Sequence, residues 1–469
     1  MGQGAAAGSG DAVITLANLA APPATMALTV AGVPIEFLLF GMLLLAIAFL
    51  HRNATAITVA GAAVITLYQL FFSAFSEGPG VGGLLSHAAH EWVALANLLG
   101  LLLGFTLLAR HVENSGLPEL LPACLPDDAR GGFFLLAGVF MLSAVLDNIA
   151  AAIIGAGIAR VIFRGRVHIG FLASLVACAN AGGVGSVLGD TTTTMMWIAG
   201  VGPLQVLPGY VAAGVALLVT AIPAARQQQA WAAITTDAPA SLRVDRPRLI
   251  IVAAILGMVV LSNLLMHVYF RQHVDSWPML AAALWAGILL TTPVRRPDWA
   301  ALPEALQGAI FLLALVWCAS LMPVGALPAA SWQSTLAVGY LSAVLDNIPL
   351  TALALKQGGY DWAMLAYAVG FGGSMLWFGS SAGVAVASRF PEAKSAWLWL
   401  RHGWHVVLAY PLGFAVMLVL VGWHPVPKAS QTSATAPAKA LARDRLAVPS
   451  GLKMHGIADD SPLRFPTHK

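Results

Sequence analysis

The fold class this sequence predicts is an all-α polytopic membrane protein of two inverted repeats, with about 10 transmembrane spans, two re-entrant hairpins and two broken helices. Three observations predict it. Of the 469 residues, 59% are hydrophobic and only 10% charged, and the apolar stretches are too long for a soluble core. The octapeptide LSAVLDNI occurs twice, at residues 142–149 and 341–348, and so long a repeat marks two related halves. Each copy is followed by paired glycines and a Gly-polar step: Gly182-Gly183 then Gly189-Asp190, and Gly372-Gly373 then Gly379-Ser380.

Composition also narrows the partners. The formal charge of +3 is small and scattered, which gives no reason to propose nucleic acid; the lipid bilayer is the partner the apolar runs require. Cys124, Cys178 and Cys318 are far apart and lack metal-ligand spacing, so free thiols are expected.

In chain order, residues 1–32 read as a Gly/Ala-rich leader and 33–225 as the first membrane repeat. Spans are expected over about 33–50 and 54–72, joined by His51-Arg52-Asn53. Glu36, near an end of the first span, is expected to reach headgroups or water. The Gly-rich segment 73–91 has no Lys or Arg and reads as an outside loop before a span over 92–108. Within it His87, His90 and Glu91 are weighed as a metal or pH site and read instead as a solvated helix start.

Residues 131–166 contain the first Asp-Asn pair and admit two readings. One straight helix would put Arg130 on one side of the membrane and Arg160, Arg164 and Arg166 on the other. A re-entrant hairpin with its tip near Asp147 puts all four on one side, as the positive-inside tendency prefers. Each arm of about 15 residues would reach ~22 Å, near the midplane. A broken span then covers 168–201, interrupted by the glycines of 181–190 and restarted by Thr191 to Thr194. After a span over 210–225, residues 226–247 with Arg226, Arg243 and Arg246 form the expected cytoplasmic linker, and Arg248 follows it.

The second repeat, 248–422, is expected to run through spans at 249–266, 278–290 and 305–322, a hairpin over 326–356, a broken span over 361–388 and a last span over 398–421. Five crossings between the hairpins, an odd number, make the repeats inverted. Trp397, Trp399 and Trp423 read as interfacial anchors. Residues 423–469, rich in Ala, Pro, Ser and Lys, read as a disordered tail.

The polar residues placed in this apolar frame suggest transport chemistry. A monovalent cation wants several hard oxygens, from carboxylates, amides, hydroxyls and freed backbone carbonyls. The candidate ligands are Asp147, Asn148, Asp190, Thr191 and Thr192 in the first half, and Asp346, Asn347, Thr351, Ser380 and Ser381 in the second. Ser143 and Ser342 lie one helical turn before the Asp residues and are candidates to face the same tips. Asp147 and Asp346, helped by Asp190, are expected to hold a proton or a cation in alternation, since low dielectric favours the protonated carboxyl and a bound cation the ionised one. The simpler reading of a buried Asp is a helix cap, and of Asn180, Ser143 or Ser342 a packing hydrogen bond. For the duplicated Asp residues the functional reading is preferred, because carboxylates inside membranes mark ion pathways.

The Asp-Asn-Ile of each half, AGGVGSVLGDTTTTMMW at 181–197 and GGSMLWFGSSAGVA at 372–385 resemble the NhaD-type sodium/proton antiporters of the ion transporter superfamily, over residues 33–422. The resemblance implies a scaffold domain and a transport domain that moves against it, a midplane site between two hairpin tips and two helix breaks, and a multi-pass protein of the inner membrane. It also implies sodium or lithium exchanged for protons, no cofactor, no enzymatic activity, and a scaffold able to form a homodimer. Two features depart from the pattern: Ala150, Ala151 and Ala152 stand where hydroxyl residues are expected, and Val187 where a proline is usual. Lithium, another monovalent ion or an anion such as citrate, a dicarboxylate or arsenite therefore stays open. An intramembrane aspartyl hydrolase is the alternative of another class, and it would need neither the duplicated Asp-Asn nor breaks in both halves.

Overall fold

The computed structural model describes residues 28–427 except 31, 51–52, 121–124, 236–243 and 271–275. Most of the expected leader, Cys124, residues 236–243 of the linker with Arg243, and the tail beyond residue 427 lie outside the described residues. The chain is an all-α polytopic membrane protein. Five described helices are long and apolar enough to cross a bilayer singly, and a bent pair makes a sixth.

After a short antiparallel pair, β1 (Thr29–Val30) and β2 (Val33–Pro34), come α1 (Ile35–Phe49), α2 (Ala54–Phe72) and α3 (Gly80–Glu113). At 34 residues α3 is ~51 Å long. It takes in most of the segment expected to be a loop. The helix keeps a glycine at position 83 because the preceding turn comes close: a Cβ there would meet Gly78 O at 1.9 Å. The expectation of a solvated start also fails at His87, which is buried between Glu77 at 2.9 Å and Ser320 at 2.9 Å.

Past α4 (Leu117–Leu120), α5 (Ala129–Ser143) and α6 (Asn148–Ile162) resolve the two readings of residues 131–166. A Cβ at Gly155 would lie 2.3 Å from Val139 Cγ2. Those positions are equally far from Asp147, so the arms fold back on each other as a hairpin. Next are α7 (Ile169–Gly183) and α8 (Thr191–Ile198), a helix broken at 184–190, then α9 (Pro203–Val206) and α10 (Gly209–Trp231).

The second half repeats this order. After α11 (Arg246–Tyr269), α12 (Met279–Thr291) and α13 (Leu302–Ser320) come the hairpin helices α14 (Trp332–Ser342) and α15 (Asn347–Gln357) and the broken pair α16 (Trp362–Gly372) and α17 (Ser381–Arg389). Gln357 Nε2 donates to Pro328 O at 2.6 Å, closing the base of the second hairpin. The last span differs from the single helix expected: α18 (Ala396–His402) and α19 (Trp404–Leu420) meet at 66°. At the corner, a Cβ on Gly403 would sit 2.8 Å from Ala173 Cβ. Trp399, expected as an interfacial anchor, is buried there and donates to Ser374 O at 3.1 Å, whereas Trp397 is exposed.

Packing divides the apolar interior. One buried cluster runs through α5–α8, α10, α16 and α19 and on to α11 and α12, while a second joins α1, α2 and α13 to Met195 of α8 and Ile348 and Ala352 of α15. Cys178 and Cys318 are free and buried.

Candidate ion-binding site

Four helices end and four begin around one polar region. Helices α5, α7, α14 and α16 bring their C-terminal carbonyl ends to it, and α6, α8, α15 and α17 their N-terminal amide ends. The positive N-terminal ends favour carboxylates nearby, and the carbonyls are hard oxygen ligands.

The two hairpin tips are built alike. Asp147 is the N-cap of α6 and accepts from Ile149 N at 3.1 Å. Asp346 is the N-cap of α15 and accepts from Ile348 N at 3.0 Å. A hydroxyl from the neighbouring broken helix faces each carboxylate: Thr191 Oγ1 lies 3.4 Å from Asp147 Oδ1, and Ser381 Oγ 3.5 Å from Asp346 Oδ2. Both distances are long for a hydroxyl–carboxylate bond, so the carboxylates keep lone pairs free for another ligand. Both Asp residues are half-buried.

Between the tips is a buried network. Asn148 Nδ2 donates to Asp190 Oδ1 at 2.9 Å and to Asn180 Oδ1 at 3.0 Å. Thr192 Oγ1 donates to Asp190 Oδ2. Asn180 Nδ2 in turn donates to Ser374 Oγ at 2.9 Å and Ser380 Oγ at 3.1 Å. Asn180 thus bonds to both halves of the chain. Sequence reading treats Asn180 as a packing residue and does not single out Ser374. The available signal is register: Asn180 and Gly370 each stand two residues before a glycine pair, and a Cβ at Gly370 would be 3.2 Å from Asp190 Oδ2.

The network gathers Asn148, Asp190, Thr192 and Ser380, while Asp147 with Thr191 and Asp346 with Ser381 form two separate pairs. Asn347 is buried, and Thr351 Oγ1 donates to its own helix at Asn347 O, 2.9 Å away. Thr193 and Thr194 serve the break itself, donating to Ser186 O at 2.6 Å and Val187 O at 2.9 Å. Ser143 and Ser342 do not face the tips. They donate to Ala179 O at 2.5 Å and Val369 O at 2.7 Å, the same contact in each half.

Paired glycines allow the close approach behind these contacts. A Cβ at Gly182 would be 2.0 Å from Phe140 O, and one at Gly372 would be 2.3 Å from Gly339 O. Phe140 and Gly339 are each seven residues before the tip Asp. Helix α6 packs on α17 and α15 on α8, so each hairpin also touches the broken helix of the other half.

No protein-family profile matches the chain. It is 27% identical over 332 residues to "Sodium/proton antiporter 1" of Arabidopsis thaliana, an alignment covering 61% of this chain and 54% of that protein, so the chain spans about half its length. "Sodium/proton antiporter 2" of the same plant is 28% identical over 292 residues, covering 53% of this chain and 67% of that protein. "Na(+)/H(+) antiporter NhaD" of Vibrio parahaemolyticus is 25% identical over 427 residues, covering 79% of this chain and 99% of that protein. By sequence, then, the chain is a relative of proteins named sodium/proton antiporters, aligned with the NhaD protein over nearly all of that protein's length.

Proposed function

We propose that this protein exchanges sodium or lithium for protons across the inner membrane by alternating access, with Asp147 and Asp346 as the groups for which cation and proton compete. The observation that carries the reading is the duplicated tip: in each half a half-buried N-cap Asp faces a hydroxyl of a broken helix at 3.4 or 3.5 Å. Asp190, which accepts from Asn148 and Thr192, orients the network at its centre and helps the two tip carboxylates in proton coupling. The repeats are read as inverted and the region around the hairpins and breaks as the moving part, with α1, α2, α3 and α11–α13 as the scaffold and a homodimer formed through it. The names of the relatives agree with this exchange.

Two features weigh against the alternatives. A dianion would want cationic side chains, and among the described residues no Lys or Arg hydrogen-bonds to the network. An aspartyl hydrolase needs two carboxylates sharing a proton, and it would explain neither the duplicated tip nor the breaks in both halves.

The test is dissipation of a pH gradient in inverted vesicles from an antiporter-deficient host, with sodium, lithium, potassium and citrate added in turn. Sodium or lithium is expected to collapse the gradient, and Asp147→Asn and Asp346→Asn are each expected to reduce the response to that of vesicles lacking the protein. Full exchange in both variants would refute the assignment. Uptake of citrate with no cation response would move the protein to the anion branch.

A further inference from the structure

A second group of polar residues lies away from the tips, between α1 and α2. Glu36, in the first turn of α1, is only 2% exposed, against the expectation that it reaches headgroups or water. Ser73, the C-cap of α2, donates to Glu36 Oε1 at 2.7 Å. Its other oxygen, Oε2, is buried with no hydrogen-bond partner among the described residues. Two further buried oxygens are in the same condition: the Tyr68 hydroxyl and Gln69 Oε1. Gln69 and Ser73 are one turn apart on the same face of α2. The amide nitrogen of Gln69 is already committed, donating to Leu321 O at 2.5 Å, which turns its oxygen into an uncommitted acceptor.

Three orphaned oxygens, one of them the carboxylate's own, need explaining, because each buried unpaired polar group costs on the order of 1–3 kcal/mol. A single proton on Glu36 would not resolve all three, since it makes one hydrogen bond and pairs two oxygens at most. A cation would, because it binds several oxygens that are too far apart to bond one another. One carboxylate balances one positive charge, whereas divalent sites recruit several. Among the described residues Glu36 has no Lys or Arg counter-charge.

We propose that Glu36, Tyr68, Gln69 and Ser73 form a monovalent-cation site separate from the hairpin tips. It is positioned to report on the second hairpin. Gln69 binds Leu321 O at the end of α13, and Lys356 of α15 donates to the flanking carbonyls, Ser320 O and Met322 O, the latter at 2.8 Å. Cation occupancy and the hold of α13 on α15 therefore share one helix end. The site goes beyond the exchange reading and does not rest on it.

The test is equilibrium binding of radioactive sodium to the purified full chain in lipid nanodiscs, with choline as the inert control. Asp147→Asn/Asp346→Asn is expected to retain one saturable class of sodium binding. Glu36→Gln is expected to lose that class, or to weaken it ~10- to 100-fold, the scale for removing a partner at a metal site. Tyr68→Phe, which removes a single oxygen, covers the case in which Glu36→Gln fails to fold, and it should weaken the same class. Unchanged affinity and stoichiometry in a monodisperse Glu36→Gln, or in Tyr68→Phe if Glu36→Gln does not fold, would overturn the site. So would loss of all binding in a folded Asp147→Asn/Asp346→Asn. Exchange in vesicles is measured separately, so failure of the exchange reading and failure of this site give different results.

Discussion

At the residue scale, the polar side chains of the membrane interior divide by what they touch. Asp147 and Asp346 face hydroxyls at long range and keep free lone pairs, while Asp190 and Asn180 are fully engaged. Asn180 holds three partners, so Asn180→Ala leaves Asn148, Ser374 and Ser380 each short of a bond. The expected cost is ~1–3 kcal/mol for the buried groups left unsatisfied, read as a lower unfolding temperature, together with loss of exchange in vesicles. Ser342→Ala removes a single bond to Val369 O. Its expected cost is about 1 kcal/mol, with exchange retained. Loss of exchange in Ser342→Ala without loss of stability would mean that its hydroxyl serves the tip after all.

At the element scale, the hairpins and broken helices are held by backbone approach as much as by side chains. Gly182 and Gly372 bring α7 and α16 against the first arms of the two hairpins, with a hypothetical Cβ 2.0 and 2.3 Å from a carbonyl oxygen. Backbone carbonyls cannot rotate away as a side-chain tip can. Gly182→Ala and Gly372→Ala should therefore each destabilise by ~1–3 kcal/mol, the usual cost of overpacking, as measured by thermal unfolding in detergent. Gly138, on the same hairpin arm, has nothing within 4 Å of the place a methyl group would take. Gly138→Ala is expected to be neutral or slightly stabilising, since alanine loses less entropy in a helix. Equal effects at Gly138 and Gly182 would contradict the close approach.

At the scale of the whole molecule, an ionic cluster ties distant parts of the chain together at one end. Asp245, just before α11, receives Arg295 Nε at 2.8 Å and has Arg248 Nε at 3.3 Å, while its backbone N donates to Ser115 O at 2.8 Å beyond α3. The Arg295 hydrogen bond and charge, followed by the lesser effect of Arg248, hold the Asp245 carboxyl below the usual carboxylate range. A depressed folded-state value favours folding above the unfolded-state pKa of about 3.9, and the contribution fades as pH falls below that toward the folded value. Asp245→Asn should therefore lower the unfolding temperature at neutral pH and flatten its decline in acid. An unchanged acid limb in unfolding scans from pH 7 to 3 would show that the pair contributes nothing.

Much of this protein is legible in its sequence because a membrane leaves the chain few options. Long apolar runs must be helices, since lipid offers the backbone no other hydrogen-bond partner, and the expected span over 54–72 matches α2 to the residue. The two LSAVLDNI copies and the glycine pairs locate both tips and both breaks, because a carboxylate is costly in a bilayer unless something requires it there and glycines weaken a helix. What the sequence does not carry is which oxygen meets which. Thr351 looks like a ligand, yet it donates to a backbone carbonyl, and Asn180 looks like packing, yet it joins the halves. Glu36 and His87 look solvated and are buried. Composition and periodicity decide which segments enter the membrane, whereas the partner of a polar atom depends on contacts between residues up to some 250 positions apart, such as Gln69 and Leu321, and only the tertiary structure brings these together.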